Sequence, residues 1–436
     1  MSDSPPEGKT IGFWSTVAIG IGGMVGGGIF AVLGLAVQMA AGGTPLAFLI
    51  SGVVALLTAY SYAKLSVAFP TRGGTVEFLN QAFGPGIFTG GLNILLWLSY
   101  IVMLSLYAYA FGSYGASFFP AASQTFWKHI FISGVILVFT LLNVLGARAV
   151  GRSENFIVAL KLAILLFFLG VGLRSVNVPS IAPAAWSSPL QLVAGGMVIF
   201  LAYEGFELIA NTAENVRKPR RTLPRAYFTS VLFVIGLYVL VSLVTVGNLS
   251  LGSIVAAEDY ALAEAARPFL GSAGFTMIAV AALLSTASAI NATLYGTSRV
   301  SYVIAKEGEL PKSLDRKVWR RPIEGLLITS GLTLVVANLF DLSRISMMGS
   351  SGFLLIFAAV NVANYRLAAK SGSRGWVSLT GAVVCLAALV VLIVQRATTS
   401  PAELLVLVVM VAVSFIIEVV YRRSTGRTLR PMHKAG

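Results

Sequence analysis

Twelve apolar stretches, each near the length needed to cross a bilayer, set the terms for this chain of 436 residues. A spanning helix needs about 20 mostly apolar residues. Stretches that meet this requirement run near 11–41, 45–69, 86–117, 128–147, 153–175, 189–214, 224–248, 274–305, 323–340, 343–366, 375–395 and 401–421. Within lipid every backbone polar group must be paired inside the protein, and a helix does this along its own length. Composition agrees, because 57% of the residues are hydrophobic and only 11% are charged, against roughly 25% charged in a soluble domain. The predicted fold is therefore an all-α integral membrane protein with twelve transmembrane helices. Pro45, Pro189, Pro224 and Pro401 fall where spans should start, a position at which a missing N–H costs little.

Charge then sets orientation. The net charge is +14, but the basic residues follow topology rather than forming a nucleic-acid patch. With the N-terminus placed in the cytoplasm, 24 of the 31 Lys and Arg residues fall in cytoplasmic tails, loops and helix ends. Five (Lys128, Arg174, Arg267, Arg344, Arg396) fall outside, and Lys161 and Arg299 lie within spans. Both termini are thus expected in the cytoplasm, in a cell membrane. The start of the chain lacks the basic and small-residue pattern of a cleaved signal. A single cysteine, Cys385, permits no internal disulfide, and two histidines, His129 and His433, make no metal cluster. No GxxxxGK[ST] loop occurs for ATP. Neither a cofactor, a metal nor an enzymatic reaction is expected, and oligomeric state is not legible.

Two stretches carry sequence that a continuous helix would avoid. The first holds GGMVGGGIF, with Gly22, Gly23, Gly26, Gly27 and Gly28; each glycine costs roughly 1 kcal/mol against alanine in a helix. Local unwinding is the favoured reading, with close packing through Gly22 and Gly26 as the alternative. The sixth stretch holds FLAYEGFE, which places Glu204, Gly205 and Glu207 at mid-depth. Carboxylates there cost about 2.5–3.5 kcal/mol each, so a second interruption is expected. Gly26 precedes Pro45, and Gly205 precedes Pro224, by the same 19 residues. Five spans per unit make the two units opposite in orientation. The predicted organisation is a cytoplasmic tail over 1–10, one repeat over 11–175, a second over 189–366, accessory spans over 375–421 and a basic tail over 422–436. Interrupted helices at matching places in inverted halves point to a transporter's substrate site.

On these residues, together with the loop ENVRKPRRTLPRA and the stretch SAINATLYGTSRVSYVIAKEGELP, the chain resembles the amino acid–polyamine–organocation superfamily. Within it the likeness is to archaeal, sodium-independent, proton-coupled transporters of broad amino acid specificity. The resemblance implies a leucine-transporter-like fold, with five-plus-five inverted repeats and broken first and sixth helices, working by alternating access. It implies a free amino acid and protons as partners, besides membrane lipid. Helix-terminus physics then suggests that the N–H groups of Gly26, Gly27 and Gly28 hold a substrate carboxylate. Carbonyls of Ile21, Leu201, Ala202 and Glu204 would take the ammonium, near Gly22 and Gly205. Side-chain walls would come from Ser99, Tyr100, Met103 and Phe200.

Three charged residues carry the rest. Glu204 departs from the family's apolar or small residue; it either selects amine-bearing substrates or is held, protonated, in a hydrogen-bond network. Glu207 matches a common acidic position and is a candidate for gating or proton sensing. Lys161 lies too far from either helix end to snorkel. Either it is a static lysine on carbonyls, or its ammonium replaces a coupling sodium, bonding first-helix carbonyls near Gly20 to Gly22 and the hydroxyls of Ser285 or Ser288. Desolvation disfavours the charged form of an amine, which would let its protonation change during transport. Symport is the leading reading; exchange of amino acids and uptake of a cationic amine or polyamine remain the alternatives.

Overall fold

The computed structural model describes residues 10–71, 73–145, 150–307 and 323–425. The tail over 1–9, the basic loop over 308–322 and the tail over 426–436 lie outside the described residues, as does the side chain of Arg299. Among the described residues, nine helices are long and apolar enough to cross a membrane, and two bent helix pairs qualify when each is taken as one span.

The first bent pair is α1 (Phe13–Met24) with α2 (Gly28–Ala40), inclined at 46°. Next come α3 (Thr44–Ala68), the amphipathic α4 (Thr75–Phe83), α5 (Ile87–Ala116), α6 (Gln124–Leu145) and α7 (Val150–Gly172). The second bent pair joins α8 (Pro189–Val198) to a 3-10 segment, Phe200–Asn215, at 42°. Then follow α9 (Pro219–Asn248), α10 (Arg267–Glu307), α11 (Ile323–Leu339), α12 (Leu342–Arg366), α13 (Gly375–Thr399) and α14 (Pro401–Thr425). At 17 residues, α11 is apolar but shorter than the nine helices that qualify.

Elements of the first half pack on their counterparts in the second. The α1 helix lies on the 3-10 segment, α3 on α9, α5 on α10 and α6 on α11. This pairing is what an inverted repeat produces. The outer faces stay apolar, with Leu137, Val138, Val383, Val390, Val408 and Ile416 exposed, as lipid contact requires.

Three sequence expectations need correction. Pro219 rather than Pro224 opens α9; a proline at the first helical position gives up an N–H that no helix bond would use. Pro224 sits inside the helix. In the sixth span the bend falls at Ile199, ahead of Glu204 and Gly205, which lie within the unbroken 3-10 run. Bonds of i→i+3 type keep that backbone paired at a longer rise per residue, so no gap opens at the acids. In the first span the glycines divide their work. Gly22 and Gly23 stay helical, while Val25–Gly27 form the break.

The division has a steric reason. Gly23 and Gly205 meet backbone to backbone, and a Cβ on Gly205 would overlap the Gly23 carbonyl carbon and the Met24 nitrogen. A Cβ on Gly28 would strike Ala202 in the same seam. Backbone atoms cannot step aside as a side chain can. Gly205→Ala should therefore lower stability by about 1–3 kcal/mol. Gly236→Ala, in a helix position with nothing within 4 Å, should stay neutral or stabilise. Thermal melting of the two purified variants in detergent checks this; equal melting points would contradict it.

Candidate functional site

A broken helix frees carbonyls that must find donors. Here the donors come from four other helices. Lys161 of α7, 2% exposed, directs Nζ to the Gly22 carbonyl at 3.2 Å. Ser285 of α10 points its hydroxyl at the carbonyls of Val25, 2.8 Å away, and Gly26. Tyr238 of α9 reaches the Met24 carbonyl at 2.7 Å and the Ala202 carbonyl at 3.2 Å. At the second bend, Ser346 and Ser350 of α12 both donate to the Val198 carbonyl, at 2.6 and 2.7 Å. Ser350 also accepts from the Leu201 N–H at 3.1 Å.

Against these breaks lies a cavity of about 110 Å³. One wall is α1, through Ala18, Ile19, Gly22 and Gly23; another is α10, through Ser288, Ala289, Ala292 and Thr293. Tyr100 and Tyr107 of α5, Val158 of α7, and Glu204 and Leu208 of the 3-10 segment complete it. The lining is mostly apolar with a few convergent hydroxyls and one carboxyl, the usual chemistry of a small-solute site.

Of the residues expected from sequence, Gly22, Tyr100, Glu204 and Ser288 line this cavity. Gly26 and Gly27 do not. The Tyr107 ring packs over Gly27, and its hydroxyl lies beside Gly26. Among the carbonyls, that of Ile21 accepts from Val25 N–H at 2.8 Å, and that of Ala202 faces Tyr238. Phe200 stacks edge-on with Phe357. Ser99 bonds the Leu95 carbonyl at 2.8 Å, and Met103 and Leu201 are buried in the core. Gly20 sits where α1 crosses Ile209 and Ser230. Tyr107, Tyr238, Ser346 and Ser350 were not anticipated. Serines one turn apart on α12 carried a weak signal for Ser346 and Ser350; an isolated tyrosine in an apolar helix carries none.

Behind the cavity lies an acidic pair. Glu204 and Glu207 are neighbours on the 3-10 segment, and both are buried. Glu207 is 1% exposed. It accepts from Tyr100, from Tyr62 at 3.0 Å and from Thr75 at 3.5 Å. Spacing of i,i+3 explains the pair, since such side chains align along a 3-10 helix. Among the described residues no group of three His, Cys, Asp or Glu could hold a metal.

With this geometry in hand, the comparisons place the chain. Residues 11–416 match the family model for amino acid permeases. Over 424 residues, 96% of this chain and 97% of the relative, it is 37% identical to an uncharacterized protein of Methanocaldococcus jannaschii. It is 33% identical over 419 residues to the inner membrane transport protein YbaT of Escherichia coli, covering 95% and 97% of the two chains. A methylthioribose transporter of Bacillus subtilis is 24% identical over 382 residues, 83% of this chain and 82% of that one. The chain belongs to the amino acid permease family. It is a multi-pass membrane transporter and not an enzyme.

The acid pair generates a test. Glutamine has one acceptor oxygen where the Glu207 carboxyl offers two to three hydroxyls. Glu207→Gln should lose about 1–3 kcal/mol of stability, whereas Glu204→Gln, which faces the cavity, should lose less. Melting temperatures of both variants measure the difference; a larger loss at Glu204 would reverse the assignment.

Proposed function

We propose that the chain is a secondary active transporter of free amino acids, coupled to protons and independent of sodium, working by alternating access in the cell membrane. In this reading α11 supplies the remaining crossing, giving twelve spans with both termini in the cytoplasm and a five-plus-five inverted repeat. The observation that carries the coupling is the buried Lys161, whose Nζ bonds the carbonyl of Gly22, itself part of the cavity wall. A charged ammonium there ties α7 to the broken helix, with Ser285 holding the adjacent carbonyls from α10. Loss of its proton weakens the tie and frees α1 to shift. In this reading substrate carboxylate capture by Gly26 to Gly28 takes place beside the Tyr107 ring, which packs over Gly27.

Moving one charge across 100 mV is worth about 2.3 kcal/mol, which at 1.36 kcal/mol per decade sustains roughly a fifty-fold gradient. Lys161→Ala should abolish acid-stimulated accumulation in proteoliposomes. Wild-type uptake should proceed with sodium replaced by choline. Full proton-driven accumulation by the variant, or a sodium requirement in the wild type, would overturn the coupling.

A second reading, exchange or uptake of cationic amines, is favoured by one observation: Glu204 lines the cavity. If it selects for an amine, Glu204→Gln should shift competition towards neutral amino acids. The competitor panel should span neutral and basic amino acids, a polyamine and methylthioribose. An unchanged ranking would leave Glu204 without a selecting role.

A further inference from the structure

We propose that Tyr238 is a positioning residue, whose single hydroxyl clasps one carbonyl from each helix break and so holds the two breaks in register around the cavity. The oxygen lies 2.7 Å from the Met24 carbonyl, the last residue of α1, and 3.2 Å from the Ala202 carbonyl in the 3-10 segment. Tyr238 is fully buried. Its ring is fixed edge-on to Phe48 and tilted against Tyr203, with centroids at 5.7 and 5.1 Å. Tyr203 is in turn pinned through its hydroxyl to the Phe48 carbonyl at 2.9 Å. The clasp is therefore rigidly mounted.

The other donors each reach one of the two breaks in the bonds described above. Lys161 and Ser285 reach the first break, and Ser346 and Ser350 reach the second. Tyr238 alone among them spans both. Elsewhere α1 and the segment are joined by main chain. Gly23 meets Gly205 near the cavity. At the far end Ile11 N–H donates to the Asn215 carbonyl at 3.1 Å, and Arg217 N–H to the Ile11 carbonyl at 2.9 Å. Among the described residues no main-chain hydrogen bond joins the last turn of α1 to the first turn of the segment, and there Tyr238 stands. Its position matters because the next residues inward, Gly22, Gly23 and Glu204, are cavity wall. A shift of either break moves that wall, and displacements of about 1 Å in positioning groups are enough to degrade a site.

Tyr238→Phe keeps the ring and removes only the hydroxyl. Tyr114→Phe is the matched control, because Tyr114 is equally buried and donates to the Phe30 carbonyl at 3.0 Å, within continuous α2. Hydrogen exchange of the purified protein, followed by mass spectrometry, needs no substrate. Peptides covering 21–30 and 198–208 should both exchange at least tenfold faster in Tyr238→Phe, with a peptide from the middle of α5 unchanged. Tyr114→Phe should alter neither break. Acceleration at one break only, at neither, or equally in the control would overturn the clasp. The positioning role rests on the transport reading and is read separately, in proteoliposomes loaded with the amino acid that wild type takes up best. Apparent KM should rise about tenfold in Tyr238→Phe with maximal rate within twofold, and an unchanged KM would overturn it. Absence of uptake by wild type would instead count against the transport reading, with exchange still deciding the clasp.

Discussion

A helix that breaks inside a bilayer has no water to turn to, and this constraint organises the whole protein. The carbonyls freed at Val25–Gly27 and at Ile199 are met by Lys161, Tyr238, Ser285, Ser346 and Ser350, one or two from each of α7, α9, α10 and α12. An unpaired buried backbone group costs several kcal/mol in lipid, so the helices carrying these donors are held in place by the breaks as much as the breaks by them. The seam between α1 and the 3-10 segment follows from the same demand. Two interrupted chains must approach closely enough for one set of neighbours to serve both, and Gly23 against Gly205 is the approach that backbone geometry allows.

The acidic pair extends this logic from backbone to side chain. Glu207 gathers hydroxyls from α3, α4 and α5, so a residue of the broken span fixes the short amphipathic α4 against the bundle. Glu77 of the same helix is itself buried and accepts from Gln81 at 2.8 Å. The three hydroxyls around Glu207 give its buried carboxyl the partners that low dielectric makes necessary.

How far the sequence could be read depended on what each feature owes to local chemistry. Span positions were legible because bilayer thickness imposes a length on apolar runs; the ends of α3, α5, α12 and α13 fall within a few residues of the hydropathy limits. The first break was legible because glycine clustering is expensive in a helix. Its limits were not, since Gly23 lies in the helix against Gly205, far along the chain. The second bend was misplaced because acids at mid-depth advertise a problem without saying how it is solved, and the solution is a change of helix type. Of the expected site residues, Tyr100, Glu204 and Ser288 face the cavity, whereas the expected walls Phe200 and Met103 turn to the core. Rotation about a helix axis decides between these outcomes, and an all-round apolar sequence does not encode it. The site also took in Tyr107, an aromatic that sequence could only assign to packing.

The 3-10 segment is longer than an α-helix of the same residues would be. Its sixteen residues rise about 2.0 Å each where an α-helix rises 1.5 Å. Each residue that relaxed to α geometry would draw the segment in by about 0.5 Å and turn it back by about 20°. Over the three steps from Glu204 to Glu207 this amounts to about 1.5 Å and 60°, which would pull the two carboxyls out of line. The aromatic ridge of Phe200, Tyr203 and Phe206, which recurs every third residue, would swing by the same angle off Phe357 and Tyr238. The spacing that aligns the acids and the aromatic ridge thus ties travel along the axis to rotation about it.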